Sequence, residues 1–419
     1  MFTGMVGDDE ARSILAQYGG NWVRAATLAN AGRERLGSIW RHEDGSIFLP
    51  FDPDEAQLTL LSERYREALR PAGTRDWRRL AMRSYYRLRG FIPKSAQIWL
   101  RRRYAPIQAR AVFPRWPVEP GLHDFLDLFH SIIEAIAGEP VPSIAPWPGK
   151  KRWALVLTHD VETSKGVAAL DPILALEGSL GLRSSWNFVP RRYEVGLDRI
   201  ESLTASGFEV GVHGLYHDGR DLEPAMLPER LPGIRDAAER WKATGFRSPA
   251  THRGWDAMPT LGFDYDSSYP DTDPFEPQGG GCCSWLPFFN RGLVELPLTM
   301  PQDHTLFVIL RRRDEQAWVQ KAEFLRARGG IAVLDTHPDY LTDRTIFDSY
   351  RRFLERFTGD PHVWNALPRE ASAWWRRRAE STLTRDGDGW KVSGPATDEA
   401  SVDFHRSDGS WLTAHREEK

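Results

Sequence analysis

Between residues 152 and 337 the chain repeats one pattern: a short apolar run, a polar residue, then a longer segment with apolar positions three or four apart. The runs "RWALVLTHD" (152–160), "GLRSSWNFVP" (181–190), "GFEVGVH" (207–213) and "GGIAVLDTH" (329–337) read as strands. "AMLPERLPGIRDAAERWKAT" (225–244) and "DEQAWVQKAEFLRAR" (314–328) have helical spacing. Strands alternating with helices predict an α/β architecture with a parallel sheet or barrel. Functional groups there collect at the C-terminal strand ends, where the loops converge. Asp160, His213 and His337 each end an apolar run, and Arg247 sits in "GFRSP" (245–249) after a helical interval.

The flanks read differently. Residues 1–74 mix helical periodicity in "DEAQLTLLSERYREALR" with one extended piece, "GSIFLPFDP", and show no chemistry. Residues 75–150 form a basic helical region closed by a proline-rich connector, "EPVPSIAPWPGKK". From Arg75 to Arg115 there are 12 basic residues against one acid, Asp76, and Trp77, Leu80, Ala81, Tyr85 and Leu88 keep the spacing of one helical face. Either this face packs on the main domain, or the segment touches a membrane surface or polyanion peripherally. Residues 151–378 carry the repeated pattern. Residues 379–419, with short alternating runs and Gly/Asp turns, predict a small β-rich appendage or tail.

Composition narrows the classes. A formal net charge of -3 gives no global field for nucleic acid. The opening residues lack a basic stretch followed by an apolar one, and no run approaches a membrane span, so the expected location is cytoplasmic, with a membrane-peripheral contact left open. The adjacent Cys282 and Cys283 read as free thiols, with a strained vicinal bridge as the alternative. The 17 tryptophans are read first as core residues and second as sugar platforms. Oligomeric state is not legible.

Strand alternation puts Ala154, Val156, Thr158, Asp160 and, if extension continues, Glu162 on one face and His159 on the other. His213 and His217 are four apart, which fits a ligand pair or two polar residues on a solvated face. Joined with the carboxylates they make an Asp/Glu plus two-histidine set suited to zinc or another borderline divalent ion, with positions open for water and substrate. A second carboxylate is then available as a base.

These residues resemble the polysaccharide deacetylase superfamily, the NodB-homology enzymes grouped as carbohydrate esterase family 4, over about residues 151–375. "THDVE" resembles the first motif, ordinarily Thr-Phe-Asp-Asp. "HGLYH" resembles the histidine pair, "RSP" the Arg-x-Pro motif, "AVLDTH" the final strand, and "SSWNFVP" the second-strand segment. The resemblance implies a deformed (β/α) barrel, one divalent metal (zinc, with Co2+ or Mn2+ as alternatives) and removal of N-acetyl groups from a sugar, glycan or glycoconjugate. Asp160 falls on the catalytic base, Arg247 on its partner, His337 on the general acid, and His213 and His217 on the metal ligands. A backbone N–H after Pro249 would stabilise the oxyanion.

The usual carboxylate ligand falls on Val161, which cannot bind metal. Glu162 is the expected replacement, His159 its rival, and loss of the metal site the third reading. Asp266 and Trp285 are candidates for a fourth motif, and Asp335 or Asp339 for orienting His337. His252 and Arg253 could enter from the third-motif loop, while Asp271 and Asp273 read as turn residues. The rival functions are the same site acting on a small non-sugar amide, and a catalytically silent glycan-binding protein.

Overall fold

The computed structural model describes residues 5–29, 34–69, 93–404 and 412–413. The chain divides into two compact units, one drawn from residues 1–65, 120–143 and 402–419, the other from 66–119 and 144–401. The division runs through the segment read as one basic region with its connector: 66–119 belongs to the second unit and 120–143 to the first. The helical face built on Trp77 to Leu88 lies outside the described residues.

In the first unit, Trp22–Ala29 pairs antiparallel with Arg35–His42 and with Leu412–Thr413, and Arg35–His42 pairs with Ile47–Phe48. Leu28, Ile39 and Phe51 pack against Phe125 and Ile132 of the amphipathic helix Gly121–Ala137. The helical periodicity that starts at Asp54 forms the helix Pro53–Leu61 here; the short helix Tyr65–Ala68 lies at the division between the units. The former helix is capped by the Asp52 carboxylate, which accepts from the backbone N–H of Asp54 at 2.9 Å and of Glu55 at 3.1 Å.

The second unit is built on a sheet whose strands are β1 (Trp153–Val161), β2 (Ser184–Phe188), β3 (Glu209–Val212), β4 (Gly245–Phe246), β5 (Tyr265–Asp266), β6 (Phe288–Asn290), β7 (Leu293–Glu295) and β8 (Ile331–Thr336). Their spatial order is β6-β7-β5-β4-β3-β2-β1-β8, and β9 (Val363–Asn365) pairs with the start of β1. Every pair is parallel except the hairpin β6–β7. Helices Leu197–Ala205 and Leu227–Trp241 lie on β3, and Gln316–Ala327 on β8. This is the expected deformed (β/α) barrel, open between β6 and β8. The four expected strands and two expected helices all form, while β4 to β7 come from segments too short or too polar to announce themselves. Within the segment 379–419, Thr382–Asp386 and Gly389–Ser393 form a hairpin, while 402–419 is assigned to the first unit.

β1 is buried along its whole length, as a central parallel strand must be. Trp147, Ala154, Val156, Val294, Leu296, Val333 and Trp374 form one core cluster. Trp318 packs edge-on against Phe307 and Phe353 in a second aromatic layer. Trp147, Trp153, Trp186, Trp318 and Trp374 are all fully buried, so these five indoles are core, not sugar platforms.

Glu209 on β3 is a buried carboxyl bonded to the Tyr265 hydroxyl at 2.6 Å and the Arg369 backbone N–H at 3.0 Å. Burial pushes its pKa from 4.5 up to about 7, against the lowering effect of both bonds. The unfolded chain therefore releases this proton first, and Glu209 makes stability fall as pH rises from 4.5 toward about 7. Chemical denaturation across this window should show Glu209→Gln losing a slope on the order of 2–3 kcal/mol. An unchanged slope would mean that Glu209 is ionised throughout.

Candidate metal and catalytic site

Strand register brings the polar residues together. Asp160 stands opposite Asn187, Asn187 opposite Gly211, and Val212 opposite Phe246, so Asp160, Asn187, His213 and Arg247 lie side by side at the ends of β1 to β4. Gly211 is required here, because a Cβ would lie 2.1 Å from Asn187 Oδ1. In the space it leaves, Asn187 Nδ2 donates to Asp160 Oδ1 at 2.8 Å.

Arg247 is buried behind them. Its NH1 meets Thr158 Oγ1 at 2.7 Å, Asp160 Oδ1 at 3.3 Å and Asp335 Oδ1 at 2.9 Å. Nε and NH2 bond to the carbonyl and hydroxyl of Ser267, each at 2.9 Å. Burial pushes Asp160 up, but the charges of His213, Arg247 and His337 outweigh it and hold the carboxyl below its ordinary value. Asp335 moves the other way: burial and the charge of Asp160 push it well above the carboxylate range.

His213 and His217 are not on a helix; the chain leaves β3 and turns through Gly214 at φ 63 and His217 at φ 60. A Cβ on Gly214 would lie 2.3 Å from Asp221 Oδ2, which accepts from Leu215 N at 3.2 Å. Arg230 bonds Asp221 at 2.8 Å and Asp218 at 2.6 and 2.7 Å, bracing the loop from outside. The two imidazoles are thereby brought together, their ring centroids 5.0 Å apart.

Ligand atoms of Glu162, His213 and His217 all lie within 4.8 Å of one another. His213 Nδ1 is 3.0 Å from the Arg247 carbonyl, which fixes Nδ1 as the donor and leaves the Nε2 lone pair pointing into the cluster. Burial pushes His213 down to about 4, so the ring is neutral near pH 7. Nε2 of His213 and of His217 are buried without a hydrogen-bond partner. His217 Nε2 is 2.8 Å from Glu162 Oε1, but not at a hydrogen-bonding angle. Burial pushes Glu162 up, but His217 and His337 outweigh it and hold the carboxylate well below its ordinary value. A neutral imidazole, a second orphaned Nε2 and an ionised carboxylate fit a borderline divalent cation.

His159 faces the other way, as alternation requires. It stacks on Trp186 at 4.1 Å and is 2.7 Å from Glu177, which also bonds Tyr350 and Ser184. Val161 is fully buried.

His337 brings in a residue that the sequence pattern does not mark. Asp303 accepts from His337 N at 2.7 Å and lies 2.7 Å from His337 Nδ1. Asp335 is 4.0 Å from His337 Nε2 and paired with Arg247, and Asp339 accepts from Thr163 at 2.5 Å. Neither of the two carboxylates expected to orient His337 therefore holds its Nδ1. Burial pushes His337 down, but Asp303 and Asp335 outweigh it and the ring stays charged well above its ordinary range. His337 Nε2 is 3.5 Å from Glu162 Oε1, beside the ligand cluster.

Of the remaining candidates, Asp266 bonds Ser268 and Trp285 packs edge-on against Phe324. Arg253 bonds the Thr251 and Gln278 carbonyls, and His252 lies 3.0 Å from where a Gly219 Cβ would stand, beside the loop that carries His217. Asp271 forms a buried ion pair with Lys321 at 2.5 Å, and Asp273 accepts from Phe275 N at 2.7 Å. Cys282 and Cys283 are buried thiols, not joined in a disulfide.

No family model matches this chain, and no curated protein matches it. Among solved structures it is similar to a Mycobacterium smegmatis protein assigned as a polysaccharide deacetylase, at 20% identity and TM-score 0.44 over 59% of this chain and 99% of the other. The allantoinase PuuE is similar at 18% and 0.44, over 55% and 92%. A Pseudomonas aeruginosa protein assigned as a polysaccharide deacetylase is similar at 18% and 0.45, over 58% and 97%. Similarity of this degree settles no activity, and the chemistry rests on the side chains themselves.

Replacing Asp303 by Asn should lower the titration of His337, because burial then acts with less opposition. Imidazole NMR of the metal-free protein reads this directly. An unmoved titration would show that Asp335 and Glu162 alone keep the ring charged.

Proposed function

We propose that this protein is a metal-dependent hydrolase that removes N-acetyl groups from a sugar, glycan or glycoconjugate, and that Glu162, His213 and His217 hold its metal. The supporting observation is the convergence of two orphaned, buried imidazole nitrogens and one ionised carboxylate, with a separate carboxylate, Asp160, beside them. A protein that had lost its metal site at Val161 would have no need to gather these three groups; Glu162, the residue just after β1, takes the missing ligand's place. Zinc is the proposed ion, since the set has two nitrogen donors and one oxygen donor and leaves positions open.

When bound, the ion supplies Lewis-acid polarisation of the acyl oxygen and a lowered pKa for water. The protein side of the reaction divides between two groups. Asp160 accepts the proton of the attacking water; Asn187 and Arg247 hold its Oδ1 at 2.8 and 3.3 Å, and Oδ2 lies 3.7 Å from His213 Nε2, facing the cluster. His337, charged and clamped by Asp303, donates a proton to the departing amine. Base and acid thus start in complementary protonation states, set by different partners. An N-acetylated saccharide is preferred to a small non-sugar amide because the motif order along this chain resembles the enzymes that act on glycans.

Purified protein should hold about one divalent ion per chain. Metal analysis should show Glu162→Ala and His217→Ala weakened at least about 100-fold in affinity, and His159→Ala retaining the ion. Metal lost in His159→Ala yet kept in Glu162→Ala would refute the ligand assignment. Asp160→Asn should retain the ion and lose on the order of 100- to 10,000-fold in acetate release from N-acetylated saccharides. Turnover confined to small amides would redirect the substrate assignment and leave the site standing.

A further inference from the structure

The helix Lys94–Gln108 is amphipathic the wrong way round for a helix that only packs on its own domain. Its inward face is polar: Arg101 bonds the Phe275 carbonyl and Glu276, Arg102 bonds the Val308 carbonyl at 2.9 Å, and Gln108 bonds the Pro274 carbonyl at 2.8 Å, around the buried Ala105. Its outward face is apolar: Trp99 is 57% exposed, Ile107 56%, Tyr104 44% and Leu100 41%. At 100° per residue these four fall within one arc, which Arg103 shares, and Arg110 follows in the turn just after the helix. A helix facing water alone shows the reverse partition.

We infer that this outward face docks on an anionic phospholipid bilayer. Charge decides among occupants. From Trp77 to Val118 the sequence contains no Asp or Glu, so the exposed arc has no acidic neighbour on its own segment. Residues 70–92, which precede the helix in sequence, carry Arg70, Arg75, Arg78, Arg79, Arg83, Arg87 and Arg89 against Asp76 alone. Covering the arc with them, or with a second copy of it, sets arginine against arginine. An anionic lipid surface accepts both characters: Trp and Tyr settle at headgroup level, Leu100 and Ile107 enter the acyl boundary, and arginine stems lie along apolar surface with their charges at the phosphates. The guanidinium of Arg103 already lies 5.5 Å from the Trp99 ring centre.

The inward bonds tie this surface to the active-site wall. Val308, which accepts from Arg102, belongs to the same short helical segment, His304–Ile309, that Asp303 begins and from which Asp303 reaches His337. A docked helix would therefore place the lipid surface beside the wall that carries the acid.

The test uses the full chain and vesicles of defined composition. Wild-type protein should sediment with mixed phosphatidylglycerol and phosphatidylcholine vesicles and stay in solution with phosphatidylcholine alone. The pair Trp99→Glu and Ile107→Glu should lower the partition coefficient at least about tenfold. The pair Arg103→Glu and Arg110→Glu should lower it by about tenfold as well, with thermal unfolding and metal content unchanged in both. The inference is overturned if wild type ignores phosphatidylglycerol, if both pairs bind as wild type does, or if the arc instead forms a concentration-dependent dimer that both pairs dissolve. None of these outcomes bears on the metal ligands.

Discussion

One buried guanidinium organises the catalytic end of the barrel. Arg247 is 1% exposed, and water solvates almost none of its charge. An unpaired charge there would cost several kcal/mol, so the fold must surround it with acceptors. It does so with groups from different strands: Thr158 and Asp160 from β1, Asp335 from β8, and Ser267 just after β5. The Arg247 backbone joins in, its N–H donating to Val212 and its carbonyl facing His213 Nδ1. A single residue thus sets the position of the proposed base and the tautomer of a proposed metal ligand.

The charge count around Arg247 also separates two chemically identical side chains. One cation faces two buried carboxyls, Asp160 and Asp335, which compete for it in so little water. The Arg247 and His337 charges and an Asn187 N–H hold the Asp160 carboxyl below its ordinary value, while burial and Asp160 itself push Asp335 the other way. The base is therefore defined by its surroundings. His337 receives the opposite treatment, because Asp303 returns to the ring the charge that burial would remove.

What the sequence made legible follows from the same physics. Asp160, His213 and His337 could be found because each ends an apolar run, and strand alternation correctly sent His159 to the Glu177 and Trp186 side. Asp303 could not be found: it lies 34 positions before His337, in "MPQDHTLF", which has neither strand nor helical periodicity and folds as the entry to a π-helical turn. Asn187 was visible only as part of a strand, since its function depends on standing opposite Gly211, and register is not written in either segment alone. The four-residue spacing of His213 and His217 does not come from a helix, for a local reason. Gly214 and His217 adopt left-handed conformations that stop a helix before one turn is complete.

The first unit was illegible for another reason. Its sheet joins Trp22–Ala29 to Leu412–Thr413, and its core takes Phe125 and Ile132 from the middle of the chain, so no contiguous stretch holds a complete hydrophobic pattern. The helix Lys94–Gln108 shows the complementary failure. A basic, aromatic-rich segment was read as either packed on the main domain or turned toward a surface, as though one excluded the other. Arg101 and Arg102 turn inward to carbonyl acceptors, and Trp99, Leu100, Tyr104 and Ile107 stand on the outer arc with Arg103. Guanidinium groups can line an interior face where backbone carbonyls are presented to them, so residue polarity alone did not say which side of this helix faces the protein.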